Sequence, residues 1–359
     1  MTLPELGIIE GYYGRPWSWE ERAETVAFLA GHGYGFYFYA PKADPYLRRL
    51  WREPHPDQIA RHLVGLSDHC RSHGVRFGIG LSPTRLHHDF DGPARAELGC
   101  KLAALGAFDL NDLALLFDDM KGDVPDLADR QAEIVAWTMQ HAEAERIFVC
   151  PSYYSDDPVL DCAFGARPDG YLERLGELLH PDVEVFWTGE EVVARELSLG
   201  HLRRVGGQLR RKPFLWDNYP VNDGERMSQF LHVRGFTGRP AAIADHIAGH
   251  AINPALQPTL TRIPALTLVE AYANGDAYQY GAATRHAART ALGEQLGDAL
   301  WRDLLELQEV GLDRLAEKAA ELRARYAAFD HAGAREVVGW LDGEYRITDA
   351  IVRGQSGEE

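Results

Sequence analysis

The chain has 359 residues, 45% of them hydrophobic and 25% charged, a balance that suits a water-soluble fold with a sizeable core. Its 37 lysines and arginines stand against 54 aspartates and glutamates, a net charge of −17. Nucleic acid and anionic membrane are therefore poor partners, because both require a positive face.

Further function classes fall away on motifs. Cys70, Cys100, Cys150 and Cys162 have no CxxC spacing, which argues against zinc ligation and against a disulfide framework. The start, MTLPELGIIEGYYG, lacks the basic segment and continuous apolar run of a secretion signal. No run reaches the roughly 18 apolar residues of a membrane span. A cytoplasmic protein is expected.

Eight short apolar runs follow along the chain: 7–10, 36–40, 76–81, 113–117, 146–150, 183–187, 213–216 and about 247–252. Such runs read as buried strands. Helical stretches separate them. Ser18 and Glu21 form a capping box ahead of Ala23, Val26, Ala27 and Ala30, and Gly31 and Gly33 supply the stop. A second helix starts near Asp57 with Ile59, Leu63, Leu66 and Cys70 on one face, a third carries Leu98, Leu102 and Leu105, and another carries Leu172, Leu175 and Leu179. This alternation predicts an α/β fold, a (β/α)8 TIM barrel over 1–280, with a doubly wound open sheet as runner-up. Beyond it, 281–352 reads as a small C-terminal helical appendage, packed on the barrel or on a second subunit and so a candidate surface for homo-oligomer contacts. Residues 353–359 are expected to be disordered.

In a barrel the residues after each strand meet at one mouth. Those residues are Gly11, Tyr12 and Tyr13; Lys42 and Asp44; Asp118 and Asp119; Tyr153 and Tyr154; Thr188 and Gly189; Asp217, Asn218, Asn222 and Asp223; and Asn253. Hydrogen-bonding groups and aromatics dominate, and phosphate loops are missing. A carbohydrate pocket is the best physical fit, with Trp187, Trp216, Tyr154 and Tyr13 available to stack on a sugar. The adjacent acids Asp118 and Asp119 repel, and each raises the other's proton affinity. That keeps one acid protonated beside an ionised neighbour, as acid catalysis near neutral pH requires. The bland alternative for the pair is a helix N-cap.

The segments GIIEGYYGRPW, YAPKAD, LALLFDDM, CPSYY, VFWTG, LWDNYPVND and AINP occur in this order between residues 7 and 254. Together they resemble glycoside hydrolase family 84, enzymes that remove N-acetylglucosamine from serine and threonine, and related bacterial β-N-acetylglucosaminidases. The resemblance implies that Asp118 orients the substrate's 2-acetamido group, whose carbonyl oxygen attacks C1 to form an oxazoline. Asp119 is then the general acid/base. Tyr154 and Asn218 position the acetamido group, Trp216 walls it, Gly11 and Lys42 hold the 3-hydroxyl, Asp223 the 4- and 6-hydroxyls, and Asn253 lies near the latter. Two departures stand out. Ala43 replaces the first of two aspartates that commonly follow the lysine, so only Asp44 remains, a change expected to alter the rim more than the chemistry. The fifth-strand motif lacks an acid before its tyrosines, so Tyr153 is open to sharing the role of Tyr154.

The expected activity is that of a retaining exo-β-N-acetylglucosaminidase with no cofactor and no metal, acting on an N-acetylglucosamine-bearing glycoconjugate or glycoprotein. The alternatives are a non-catalytic sugar- or glycopeptide-binding barrel and a metal-dependent barrel hydrolase. For the last, the His87-His88-Asp89 cluster is a weak basis, since adjacent residues of an extended segment point to opposite sides. Trp187 is balanced between core and pocket. Asp217 should point away from the pocket by strand alternation, and Glu10 is a supporting residue without a derived role. The natural aglycone is left open.

Overall fold

Each expected run becomes a strand in the computed structural model, which describes residues 3–356. The strands are β1 (Glu5–Ile9), β2 (Tyr34–Tyr39), β3 (Arg76–Leu81), β4 (Asp112–Leu116), β5 (Arg146–Cys150), β6 (Glu184–Trp187), β7 (Phe214–Asp217) and β8 (Gly249–Ile252). All pair in parallel in chain order, and β1 closes on β8, with Leu6 opposite His250 and Ile8 opposite Ile252. The fold is a (β/α)8 barrel with a C-terminal helical extension.

Around it lie α1 (Trp19–Ala30), α2 (Asp57–Ser72), α3 (Gly92–Gly106), α4 (Leu127–His141), α5 (Val159–Phe164), α6 (Tyr171–Leu178), α7 (Leu199–Leu209) and α8 (Pro258–Asn274). Side-chain caps start several of them. The Ser18–Glu21 box opens α1, Asp91 accepts the Ala94 N–H at α3, and Ser198 accepts the His201 N–H at α7. Each satisfies an amide the first helical turn leaves without a partner.

The barrel interior is layered. Arg76 and Arg146 at the strand starts pair with Glu5, Asp112 and Glu184. Their guanidinium groups lie over the rings of Phe36 and Phe148, 5.8 and 4.9 Å from the centroids. Above them Phe36, Phe38, Phe148, Phe186 and Phe214 meet mostly edge to face, the favoured approach of aromatic quadrupoles. Trp216 stands on Phe186 at 5.3 Å and 82°, and it begins the mouth.

The extension comprises α9 (Tyr280–Leu292), α10 (Glu294–Arg302), α11 (Glu317–Ala327), α12 (Ala332–Leu341) and α13 (Asp349–Ser356). It shares one hydrophobic core with the barrel through Leu292, Val337, Trp340 and Ile347. Glu336 of α12 accepts the Thr259 and Leu260 N–H groups, so it caps α8 from across the chain. The expected disordered tail is corrected in part. Residues 353–356 end α13, held where the Gln355 side chain bonds both the N–H and the carbonyl of Gly14, while 357–359 lie outside the described residues. Among the described residues no helix is long and apolar enough to cross a membrane.

Candidate active site

At the carboxyl ends of the strands lies a cavity of about 250 Å³. All nine residues singled out from the sequence line it: Gly11, Lys42, Asp118, Asp119, Tyr154, Trp216, Asn218, Asp223 and Asn253. They arrive from β1, β2, β4, β5, β7 and β8, Trp216 from within β7 and the others from just past a strand. Pharmaceutical-sized ligand pockets run to roughly 300–1,000 Å³. This one is sized for a single sugar ring.

Lys42 straddles the acid pair. Its Nζ donates to Asp118 Oδ2 and lies 3.1 Å from Asp119 Oδ2, which also accepts the Tyr13 hydroxyl at 2.8 Å. The other Asp118 oxygen, Oδ1, is buried and has no partner among the described residues. Burial favours a protonated Asp119, but Lys42, Arg48 and the Tyr13 hydroxyl outweigh it and hold the carboxyl down at about 2. The expectation of a protonated Asp119 is therefore not met here: two cations from outside the strand, Lys42 and Arg48, and the Tyr13 hydroxyl favour the ionised form. Asp119 also has φ of +57°, a left-handed conformation rare for a non-glycine residue and costly to hold.

The walls explain several residue types. A Cβ on Gly11 would lie 2.0 Å from the Trp216 ring, so only glycine lets the indole lie flat against β1's end. Asn253 accepts the Gly11 N–H at 3.1 Å and donates to Asn218 Oδ1 at 2.9 Å, and Asn218 donates to the Val192 carbonyl at 2.8 Å. This relay locks β1, β8 and β7 to the loop after β6. Asp223 accepts the Tyr13 N–H at 2.9 Å, and burial, reinforced by Asp119, pushes its carboxyl up to about 6. Burial and the two aspartates hold the Tyr154 hydroxyl protonated, well above its ordinary range. It can only donate or accept a hydrogen bond as a neutral phenol.

A second, larger cavity of about 570 Å³ lies beside the first, and Asp119 lines both.

Comparison with known proteins agrees with this geometry. Residues 6–304 match the family model described as beta-N-acetylglucosaminidase. The chain belongs to that family. It is 31% identical over 258 residues to the proteins named "Protein O-GlcNAcase" of Rattus norvegicus and of Mus musculus, a stretch that is 69% of this chain. The same stretch is only 28% of those relatives' length. Among solved structures it is similar to a Thermobaculum terrenum O-GlcNAc hydrolase mutant, with 28% identity and a TM-score of 0.78, covering 97% of this chain and 83% of that one.

Not every residue noticed in the family motifs reaches the cavity. Trp187 is core: it is fully buried, and its indole N–H donates to His201 at 2.8 Å. Tyr153 points away and donates to the Gly165 carbonyl at 2.7 Å, so it does not share the place of Tyr154. Asp217 is sequestered by Arg239 and His250, as alternation requires. Asp44, expected at the mouth as a strand-end residue, does not line the cavity. It is buried, accepts the Tyr39 hydroxyl and His55, and caps the turn Pro45–Leu47. Glu10 gains a structural role, buried between Arg22, Tyr37 and Tyr12. His87 is buried with Nε2 on the Lys121 carbonyl, and no group of three or more metal-ligating side chains gathers among the described residues.

Further residues that received no role from the sequence also line the cavity: Thr188, Cys150, Val192, Val193, Val221, Gly224 and Val352. Tyr13, noted only as a stacking candidate, instead holds Asp119. Burial keeps the Cys150 thiol protonated, which leaves it no nucleophile. Val352 comes from α13, a segment whose sequence pattern carried no sign of the mouth.

Proposed function

We propose that this protein is a retaining exo-β-N-acetylglucosaminidase acting on N-acetylglucosamine-bearing glycoconjugates or glycoproteins, with the substrate's own acetamido group as nucleophile. The observation that carries the reading is the Asp118 carboxylate. One oxygen is pinned by Lys42 and the other is a buried acceptor without a partner, in a cavity the size of one sugar. A buried acceptor left in that state costs about 1–3 kcal/mol, and the acetamido N–H of a bound sugar would satisfy it.

The steps balance with water alone. Asp118 accepts from the amide N–H as the amide oxygen attacks C1, the C1–O bond breaks, and Asp119 gives its proton to the leaving oxygen. Water then opens the oxazoline at C1, returning a proton to Asp119. Tyr154 donates to the acetamido oxygen and Asn218 helps to place it, while Trp216 shields it from solvent. Lys42 and the Gly11 carbonyl take the 3-hydroxyl, and Asp223 takes the 4- and 6-hydroxyls with Asn253 beside it. Lys42, Arg48 and the Tyr13 hydroxyl hold the Asp119 carboxyl low, so this chemistry requires the substrate to loosen those contacts before Asp119 carries a proton.

Two acids on adjacent residues suit this division better than the facing pair, about 5–5.5 Å apart, of nucleophile-forming glycosidases. The test is a comparison of an aryl N-acetyl-β-glucosaminide with the matching β-glucoside. Strong preference for the former is expected, and equal rates would sink the acetamido mechanism. Binding of an N-acetylglucosamine thiazoline with no turnover of any glucosaminide would instead indicate a sugar-binding protein.

A further inference from the structure

The larger cavity on the far side of Asp119 has an unusual charge for this chain. Arg49, Arg85, Lys121 and Arg353 line it, against Asp119 and Asp123. Among the described residues none of these four cations has a carboxylate partner. Arg49, Lys121 and Arg353 reach backbone carbonyls instead, those of Gly354, Ala163 and Asp349. In a chain with 54 acids and 37 bases, four unpaired bases around one cavity run against the overall field. Many other arginines sit on acids, as Arg76, Arg146, Arg174 and Arg239 do.

The cluster is also held in place. Arg130 donates to the carbonyls of His87 and His88, fixing the loop that carries Arg85, whose own backbone is left-handed at φ of +65°. From the other side α13 contributes Arg353 and Gly354, and the Ser356 carbonyl at its end takes a hydrogen bond from Arg48. A concave site lined by fixed positive charge concentrates anions.

We infer that this cavity is the aglycone subsite and that it selects a leaving group bearing a carboxylate close to the glycosidic bond. The inference rests on the glycosidase reading above, because Asp119 marks the bond and this cavity lies beyond it. The carboxylate has two sources, an acidic side chain flanking a glycosylated serine or an acidic sugar such as N-acetylmuramic acid. Their shared chemistry is what Arg85 and Arg353 recognise.

The test measures kcat/KM on two matched pairs at low and at high salt. One pair is a serine-glycosylated peptide with glutamate or glutamine at the flanking positions. The other is N-acetylglucosamine β-linked to N-acetylmuramic acid or to its lactyl amide. Exposed ion pairs contribute up to about fivefold each, so two engaged cations give an acidic-to-neutral ratio of about tenfold in at least one pair. That ratio should fall toward one as salt screens the contacts, and the pair that shows it names the source. The double reversal Arg85→Glu with Arg353→Glu should invert the preference toward lysine-flanked peptides. If the reversal disturbs folding, Arg85→Gln with Arg353→Gln should bring the ratio to about one. A ratio of one in both pairs, with every substrate hydrolysed, overturns the inference and leaves the glycosidase reading standing. A preference that survives in the variants also overturns it. Hydrolysis of no substrate defeats the glycosidase reading, and the inference with it.

Discussion

The two ends of the barrel hold carboxylates in opposite ways. At the strand starts Glu5, Asp112 and Glu184 share Arg76 and Arg146 over an aromatic floor, and the charges nearly cancel. At the strand ends Asp118 and Asp119 share Lys42 with Asp223 close by, and Asp118 keeps an oxygen without a partner among the described residues. The lower end spends its charge on itself. The upper end leaves bonding capacity over, and that surplus separates a site from a plug.

Breaking the upper end should cost most where a proton is moved. Asp119→Asn should lower kcat/KM on a serine-linked substrate by about 10³-fold, and far less on an aryl glycoside whose leaving group needs no proton. Stopped assays on both classes decide it, and equal losses would count against Asp119 as the acid. Asp118→Asn should lower both classes alike, by about 10²-fold, since it removes a charge that acts at the transition state whatever the leaving group.

Two acids at opposite ends share the same titration range and should answer it differently. Burial pushes the Asp223 carboxyl up to about 6, and the role proposed for it, accepting hydrogen bonds from two sugar hydroxyls, needs the ionised form present above that pH. Competitive binding of N-acetylglucosamine should therefore weaken as pH falls through about 6, by up to about tenfold per unit. A flat profile in a calorimetric titration would remove Asp223 from sugar binding. Asp112, also raised to about 6 by burial despite Arg76 and Arg146, should show the smaller effect, in stability. Its folded pKa exceeds the unfolded one, so the native state holds more protons between the two. Stability from this group is full below about 4 and is lost as pH rises through about 6. Thermal unfolding of Asp112→Asn should lack that component while turnover is kept.

The upper end was readable from sequence to the extent that its parts are local. All eight strands announce themselves as apolar runs, and a barrel sends whatever follows each run to one place; the resemblance to a known family then picked nine residues at that mouth. What could not be read depends on contacts between elements. Lys42 and Asp118 are 76 positions apart, and nothing in the doublet Asp118-Asp119 reports a cation arriving from β2 to keep the second acid ionised. Trp187 and Trp216 look alike as strand-end aromatics. Only the partner at His201 and the Gly11 backbone sort one into the core and the other into the pocket. Asp44 was misplaced for a similar reason, since its capping role lies in a short turn without helical periodicity. The segment around Val352 is short and polar, with no hydrophobic pattern strong enough to show that it packs.

The grip of Gln355 on Gly14 joins the last described turn of the chain to the first loop of the barrel. On a ribosome, every polar group of the sugar cavity would be made long before the wall that Val352 adds. A nascent chain, or one cut after α12, would thus hold the whole acid pair in a mouth with one side missing.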